Sequence, residues 1–269
     1  TLAGTTPASP GKTTTPTVFG TTEPGSLVRL YLGDDCTGFL VGETTADDTG
    51  AFSVQVAVAA NAETLFYGRS TDLSGRVSAC SEPPLSYVHD GIAPLAPVLT
   101  GVEPLSPSKN PKPTIKGTGE AGATVTLYTN ATCTTPAVGT QTPPGLATSV
   151  VVAAGTFATP VSLPLNATTT LWATLTDPAG NVSPCSTSKI VYTHDDKAPA
   201  VPTLNATRPQ SPSGELNPTL TGKAEGDADV DVYDNATCTG TPIGSGNANP
   251  GGVFEIPITV TENAVTSIY

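Results

Sequence analysis

The chain repeats itself. "TLAGTTPASP" begins at Thr1, "VLTGVEPLSP" at Val98 and "TLNATRPQSP" at Thr203, offsets of 97 and 105 residues. The register holds elsewhere: "VRLY" at Val28 returns as "VTLY" at Val125 and "VDVY" at Val230, and Cys36 returns as Cys133 and Cys238. The second repeat is longer by 8 residues, and the extra length falls near "QTPPGLATSV", between Gly139 and Gly155. The third returns to the shorter length, since Phe254 lies 202 residues after Phe52. An insertion confined to one loop is what a fixed scaffold tolerates. A period near a hundred residues is the size of a unit that buries its own core, not of a solenoid coil that needs its neighbours. The expected boundaries are 1–92, 93–197 and 198–269, with the third repeat incomplete and lacking its last strand.

Within each repeat the apolar pattern has period two. "LVRLYL" places Val28, Leu30 and Leu32 on one face, with Arg29 and Tyr31 on the other. Val125 and Leu127 take the inner face in the second repeat, and Val230 and Val232 in the third, where Asp229 and Asp231 point outward. "AFSVQVAV" alternates again, with Phe52, Val54, Val56 and Val58 facing in, and "VFEIPITV" repeats this with Phe254, Ile256, Ile258 and Val260. The chain has 27 Gly, 27 Pro, no Met and one Trp, and no long helical periodicity. Thr and Val suit pleated surfaces, while Gly and Pro punctuate them. Such a composition also fits a disordered chain, but the conserved internal register argues for folded units. The fold expected is all-β: tandem immunoglobulin-like Greek-key β-sandwiches in an extended array, six or seven strands to a unit.

The cysteines follow the same register. Cys36 and Cys80 lie in the first repeat, Cys133 and Cys185 in the second, and Cys80 and Cys185 correspond at the 105-residue offset. One bridge per repeat, Cys36–Cys80 and Cys133–Cys185, is the pairing this register favours; free buried thiols are the alternative. Bridges imply an oxidising compartment, extracellular or at the cell surface. Zinc is disfavoured, because there is no Cys-x-x-Cys. Cys238 has no partner: the position equivalent to Cys80 falls beyond Tyr269, so the third repeat stops in mid-domain. With neither an initiating Met nor a signal peptide, the chain reads as a piece of a longer protein.

The phrases "SPSKNPKPTIKGTGEAGATVTLYTNATC", "TDPAGNVSPCS" and "HDDKAPAVP" resemble the tandem bacterial Ig-like domains of large secreted and surface proteins, adhesins among them. The resemblance covers essentially the whole chain. It implies a Greek-key sandwich used as stalk or spacer, with adhesion at selected domains or at the tip. Two departures stand out: the bridge is not the core bridge of antibody domains, and Trp172 has no Trp counterpart in the other repeats.

The only two histidines, His89 and His194, occur in the matching phrases "HDGIAP" and "HDDKAP". A His beside a carboxylate suggests a general base or half a metal site. No nucleophile motif, H-E-x-x-H or phosphate loop accompanies either one, so no catalytic residue is assigned. Both phrases read instead as linkers, whose paired prolines make a short, stiff connection. Asp90, Asp195 and Asp196 at these junctions are calcium candidates, as hard oxygen donors; no other cofactor is expected. Asp72 and Asp177 open the turns "DLSG" and "DPAG", where Asp bonds its own backbone without a metal. The five N-x-S/T triplets, at Asn130, Asn166, Asn181, Asn205 and Asn235, read as turn chemistry.

Charged residues are 13% of the chain and the net charge is −12, which disfavours nucleic acid as a partner. No apolar run reaches membrane-spanning length. The expected partners are neighbouring repeats of the same chain and a protein or glycan ligand. Three functions follow: a non-catalytic stalk or spacer of an adhesion-related protein; a glycan- or protein-binding accessory module of a secreted enzyme; or a subunit of an extracellular filament completed by strand donation.

Overall fold

The computed structural model describes residues 1–134 and 150–269; the expected site of the insertion lies largely outside the described residues. The chain divides into two compact units, Thr1–Asp196 and Lys197–Tyr269. The first contains two hydrophobic cores and the second contains one.

The first core is built by β1 (Leu2–Thr6), β2 (Thr17–Thr21), β3 (Leu27–Tyr31), β4 (Leu40–Thr45), β5 (Ala51–Gln55), β6 (Glu63–Thr71) and β7 (Leu85–Val88). They form two antiparallel sheets, ordered β1-β2-β5 and β4-β3-β6-β7. Between the sheets lie Val18, Val28, Leu30, Phe52, Phe66 and Tyr87. The second core repeats the plan with β8 (Val98–Glu103), β9 (Thr114–Thr118), β10 (Thr124–Tyr128), β11 (Val150–Val151), β12 (Thr156–Pro160), β13 (Thr168–Thr176) and β14 (Ile190–Thr193). Its sheets run β8-β9-β12 and β11-β10-β13-β14. The third comprises β15 (Thr203–Arg208), β16 (Thr219–Lys223), β17 (Asp229–Val232), β18 (Gly244–Asn247) and β19 (Val253–Pro257), in sheets β15-β16-β19 and β17-β18. All three are β-sandwiches. Tyr269 pairs with Tyr233 as Tyr67 of β6 pairs with Tyr31 in the first sandwich.

A glycine under a phenylalanine recurs in all three sandwiches. Gly20 pairs with Phe52, Gly117 with Phe157 and Gly222 with Phe254, across adjacent strands. A Cβ on Gly117 would lie 2.3 Å from Phe157 Cζ, and one on Gly222 would lie 2.2 Å from Phe254 Cζ. The ring of each inward Phe folds flat over its cross-strand neighbour, and only glycine leaves room for it. The period-two assignments otherwise match burial, except at Leu32, which is 44% exposed. β3 ends at Tyr31, so Leu32 lies in the following turn, outside the alternation.

After its first strand the chain crosses to the opposite sheet. Gly11 bridges His89 in parallel, and Ser108 bridges His194 in the same way. This crossing brings the N-terminal segment of each complete sandwich against the end of its last strand, where the histidines sit.

Candidate functional site at the sandwich ends

His89 and His194 occupy equivalent places and make equivalent bonds. His89 Nδ1 accepts the Asn61 backbone N–H at 2.8 Å, and its Nε2 lies 3.1 Å from the Lys12 carbonyl oxygen. His194 Nδ1 accepts the Asn166 N–H at 2.8 Å, with Nε2 3.1 Å from the Lys109 carbonyl. A ring nitrogen that accepts an N–H carries no proton, and one facing a carbonyl must donate. These partners therefore assign both rings as the neutral Nε2–H tautomer. Both are buried, at 6% and 1% exposure. With both nitrogens committed to the backbone, neither ring has a free position for a substrate proton or a metal.

Each ring is held by an asparagine: Asn61, which the sequence did not single out, and Asn166, which it marked only as a turn residue. Asn61 and Asn166 adopt positive φ, 52° and 50°, a conformation that asparagine tolerates better than most residues. The turn aims the backbone N–H at the imidazole. The Asn61 side-chain oxygen accepts the Gly91 N–H, and the Asn166 oxygen accepts the Asp196 N–H. Each Asn thus ties the loop before a long strand to both the His and the residue two places beyond it. Asn263, 202 residues after Asn61, has φ of 54°. The signal was in the register, as "NAET", "NATT" and "NAVT".

Of the calcium candidates, Asp90 Oδ1 accepts the Ile92 N–H at 3.0 Å, and the backbone N–H groups of Asp195 and Asp196 donate to the Ser108 carbonyl and to Asn166 Oδ1. Among the described residues, no three His, Cys, Asp or Glu side chains come together.

The two aspartate turns differ in setting. Asp72 Oδ1 accepts the N–H groups of Ser74 and Arg76, and Oδ2 meets Arg76 Nε at 2.6 Å. The Arg76 backbone bond holds the Asp72 carboxyl below its ordinary value of 3.8. Asp47 and Asp35 are lowered in the same way, chiefly by the side-chain hydroxyls of Thr49 and Thr37. Asp177 also closes its own turn, with Oδ1 accepting the Asn181 N–H and Oδ2 the Asn181 side-chain amide. Unlike the turn at Asp72, this one is covered. Asn181 Nδ2 also donates to the Asp90 carbonyl at 2.9 Å, and Lys12 Nζ donates to the Gly180 carbonyl at 2.7 Å. The turn "DPAGN" of the second sandwich is thereby fastened to both chain segments that meet at the end of the first. The sequence marks the turn itself but not Lys12 or Asn181 as its partners.

Cys36 is bonded to Cys80, and Cys133 to Cys185, with Cα atoms 5.7 and 5.5 Å apart. Each bridge joins the loop after the sandwich's third strand to the segment leading into its last strand, outside the core between the sheets. Cys238 is free and exposed. Its φ of 47° matches the 54° of Cys36 and 49° of Cys133, so the half-site keeps the bridged geometry.

Four of the five N-x-S/T asparagines are engaged by their side chains. Asn130 and Asn235 hold their own turns, Asn166 accepts from Asp196, and Asn181 is buried at the brace. Asn205 lies exposed in β15, within its bulge.

No family model matches the chain, and no curated protein matches it. A solved structure titled "Biofilm associated protein - BSP domain" aligns over 73% of this chain at 20% identity, with a TM-score of 0.26. This chain spans 30% of that structure's length. A likeness this weak carries no argument. Among the described residues, no helix is long and apolar enough to cross a membrane.

Proposed function

We propose that this chain is a non-catalytic spacer segment of an extracellular or cell-surface protein, built from tandem immunoglobulin-like domains and serving adhesion. The strand order β1-β2-β5 facing β4-β3-β6-β7 supports the immunoglobulin-like reading. Two bridges support an oxidising location.

The observation that carries the proposal is the brace between the first two sandwiches. A flexible linker would leave the end of one domain and the turn of the next solvated. Here Asn181 and Lys12 place two hydrogen bonds across that boundary, and the Asn181 amide is itself oriented by Asp177. A side chain whose rotamer is already fixed loses little entropy on making the contact. The junction residues serve position in this arrangement, which supports the non-catalytic reading.

Residual dipolar couplings on the full chain test this. If the first two sandwiches act as one spacer element, residues of both fit a single alignment tensor, and Asn181→Ala splits the fit in two. Two independent tensors in the unaltered chain would refute the spacer reading.

A further inference from the structure

The N-x-S/T triplet at Asn205 differs from the other four in both of its working side chains. Such a triplet pairs an asparagine carboxamide, which takes a glycan, with a hydroxyl two residues on. Side chains already bonded within the fold cannot be offered to an enzyme. Asn130 Oδ1 accepts the Thr134 N–H and the Thr132 hydroxyl, while its Nδ2 donates to the Thr134 carbonyl. Asn235 repeats this with Thr239 and Thr237. Asn166 Oδ1 accepts the Asp196 N–H, and Thr168 Oγ1 shares a hydrogen bond with Thr193 Oγ1. Asn181 is buried and bonded to Asp177 and Asp90, and Ser183 Oγ accepts the Leu175 N–H. In all four, both the asparagine and its hydroxyl partner are committed.

The Asn205 triplet is not a turn. Among the described residues, neither the Asn205 carboxamide nor the Thr207 hydroxyl has a hydrogen-bond partner. Asn205 is exposed and Thr207 half-buried. Asn205 is the extra residue of the β15 bulge, between Leu204 and Ala206, so it faces no residue of β16. The same bulge holds Ala3 and Thr100 in the other two sandwiches, both exposed. An unpaired, outward bulge residue carries a bulky group without displacing a ladder partner. β15 is also an edge strand of its sheet, as β1 and β8 are, so the triplet can be presented without opening the core.

We propose that Asn205 is an N-glycosylation site, the one triplet of the five that the fold leaves open. The donor is an oligosaccharide carried on a lipid pyrophosphate. Asn205 Nδ2 bonds to the anomeric carbon, the bond from that carbon to the pyrophosphate oxygen breaks, and the amide proton leaves with the released lipid pyrophosphate. An acceptor of this kind belongs to a secreted chain, which the two disulfides support. To that extent the inference rests on the extracellular reading, and it does not depend on the spacer reading.

The test uses the full chain with both disulfides intact, a lipid-pyrophosphate-linked oligosaccharide, and an oligosaccharyltransferase that modifies a synthetic peptide copying residues 202–210. Intact mass and peptide mapping should find a single glycan, on the peptide that holds Asn205. Asn205→Gln and Thr207→Val should each abolish it. Synthetic peptides copying the Asn130 and Asn235 triplets should be modified, although the folded chain is not modified there. No transfer to Asn205 of the folded chain, or transfer no better than to Asn130 or Asn235, would overturn the proposal. The readout is glycan mass on a purified chain, so either failure leaves both the location and the rigidity of the first two sandwiches untouched.

Discussion

Asn181 donates its side-chain amide to the Asp90 carbonyl, 2.9 Å away and 91 positions earlier in the chain. The same amide group donates to Asp177 Oδ2 at 2.9 Å, so an acid that closes its own turn also aims the contact that joins two sandwiches. Asp177→Asn should therefore loosen the junction without touching the first sandwich. Dipolar couplings would show the two alignment tensors diverging, while the exchange protection of Phe66 and Tyr87 stays unchanged.

The histidines make a structural prediction that a catalytic or metal-binding pair would not. In the Nε2–H tautomer, Nδ1 of His89 and of His194 carries a pyridine-type nitrogen shift and Nε2 a pyrrole-type shift, readable in a long-range ¹⁵N–¹H spectrum. His194→Ala leaves the Asn166 N–H and the Lys109 carbonyl without their buried partner. An orphaned group of this kind costs roughly 1–3 kcal/mol, measured as a shift in denaturant midpoint. A zinc- or calcium-dependent change in either ring's shifts would contradict the assignment.

Much of this was legible in the sequence, for a physical reason. Strand, turn and cysteine positions recur at fixed offsets, so Val28, Val125 and Val230 could be placed on inner faces together. The histidines were legible as ends of domains. What the sequence hid were backbone partners. Nothing in "GKTT" announces that the Lys12 carbonyl receives an imidazole N–H while its ammonium reaches the Gly180 carbonyl. Asn166 read as an ordinary turn residue and Asn61 was not marked at all, because a left-handed φ and the direction of an N–H are set by tertiary packing. The Gly–Phe pairs were likewise hidden, since cross-strand register must be known before Gly117 can be seen to lie under Phe157.

Those pairs give a sharp test. Gly117→Ala places a Cβ 2.3 Å from Phe157 Cζ and 2.7 Å from the Val98 carbonyl. The carbonyl belongs to the backbone of the neighbouring strand and cannot rotate away. Overpacking of this kind typically costs about 1–3 kcal/mol, and thermal unfolding should show it in the second sandwich alone.

Stability should fall at both ends of the pH scale. The Asp35, Asp47 and Asp72 carboxyls lie below their ordinary 3.8 because hydroxyl and backbone donors favour the charged form. Their contribution is present above that value and is lost as pH falls through the lower folded one. Burial raises the Tyr87 phenol above its ordinary 10.0. Its contribution is complete below pH 10 and is lost as the phenol ionises above it. Denaturant midpoints of the first sandwich should decline below about pH 4 and above about pH 10, and Asp72→Asn should flatten the acid limb.

The most direct measurement of the central claim, that the first unit is two separately closed sandwiches each stapled within itself, is single-molecule extension with and without reductant. The bridges join cysteines 44 and 52 positions apart. At ~3.5 Å per extended residue, reduction should lengthen one unfolding step by about 150 Å and a second by about 180 Å. Each step should remain a separate event, and the third sandwich's step should be unchanged. A single unfolding event spanning both sandwiches, or step lengths indifferent to reductant, would contradict it.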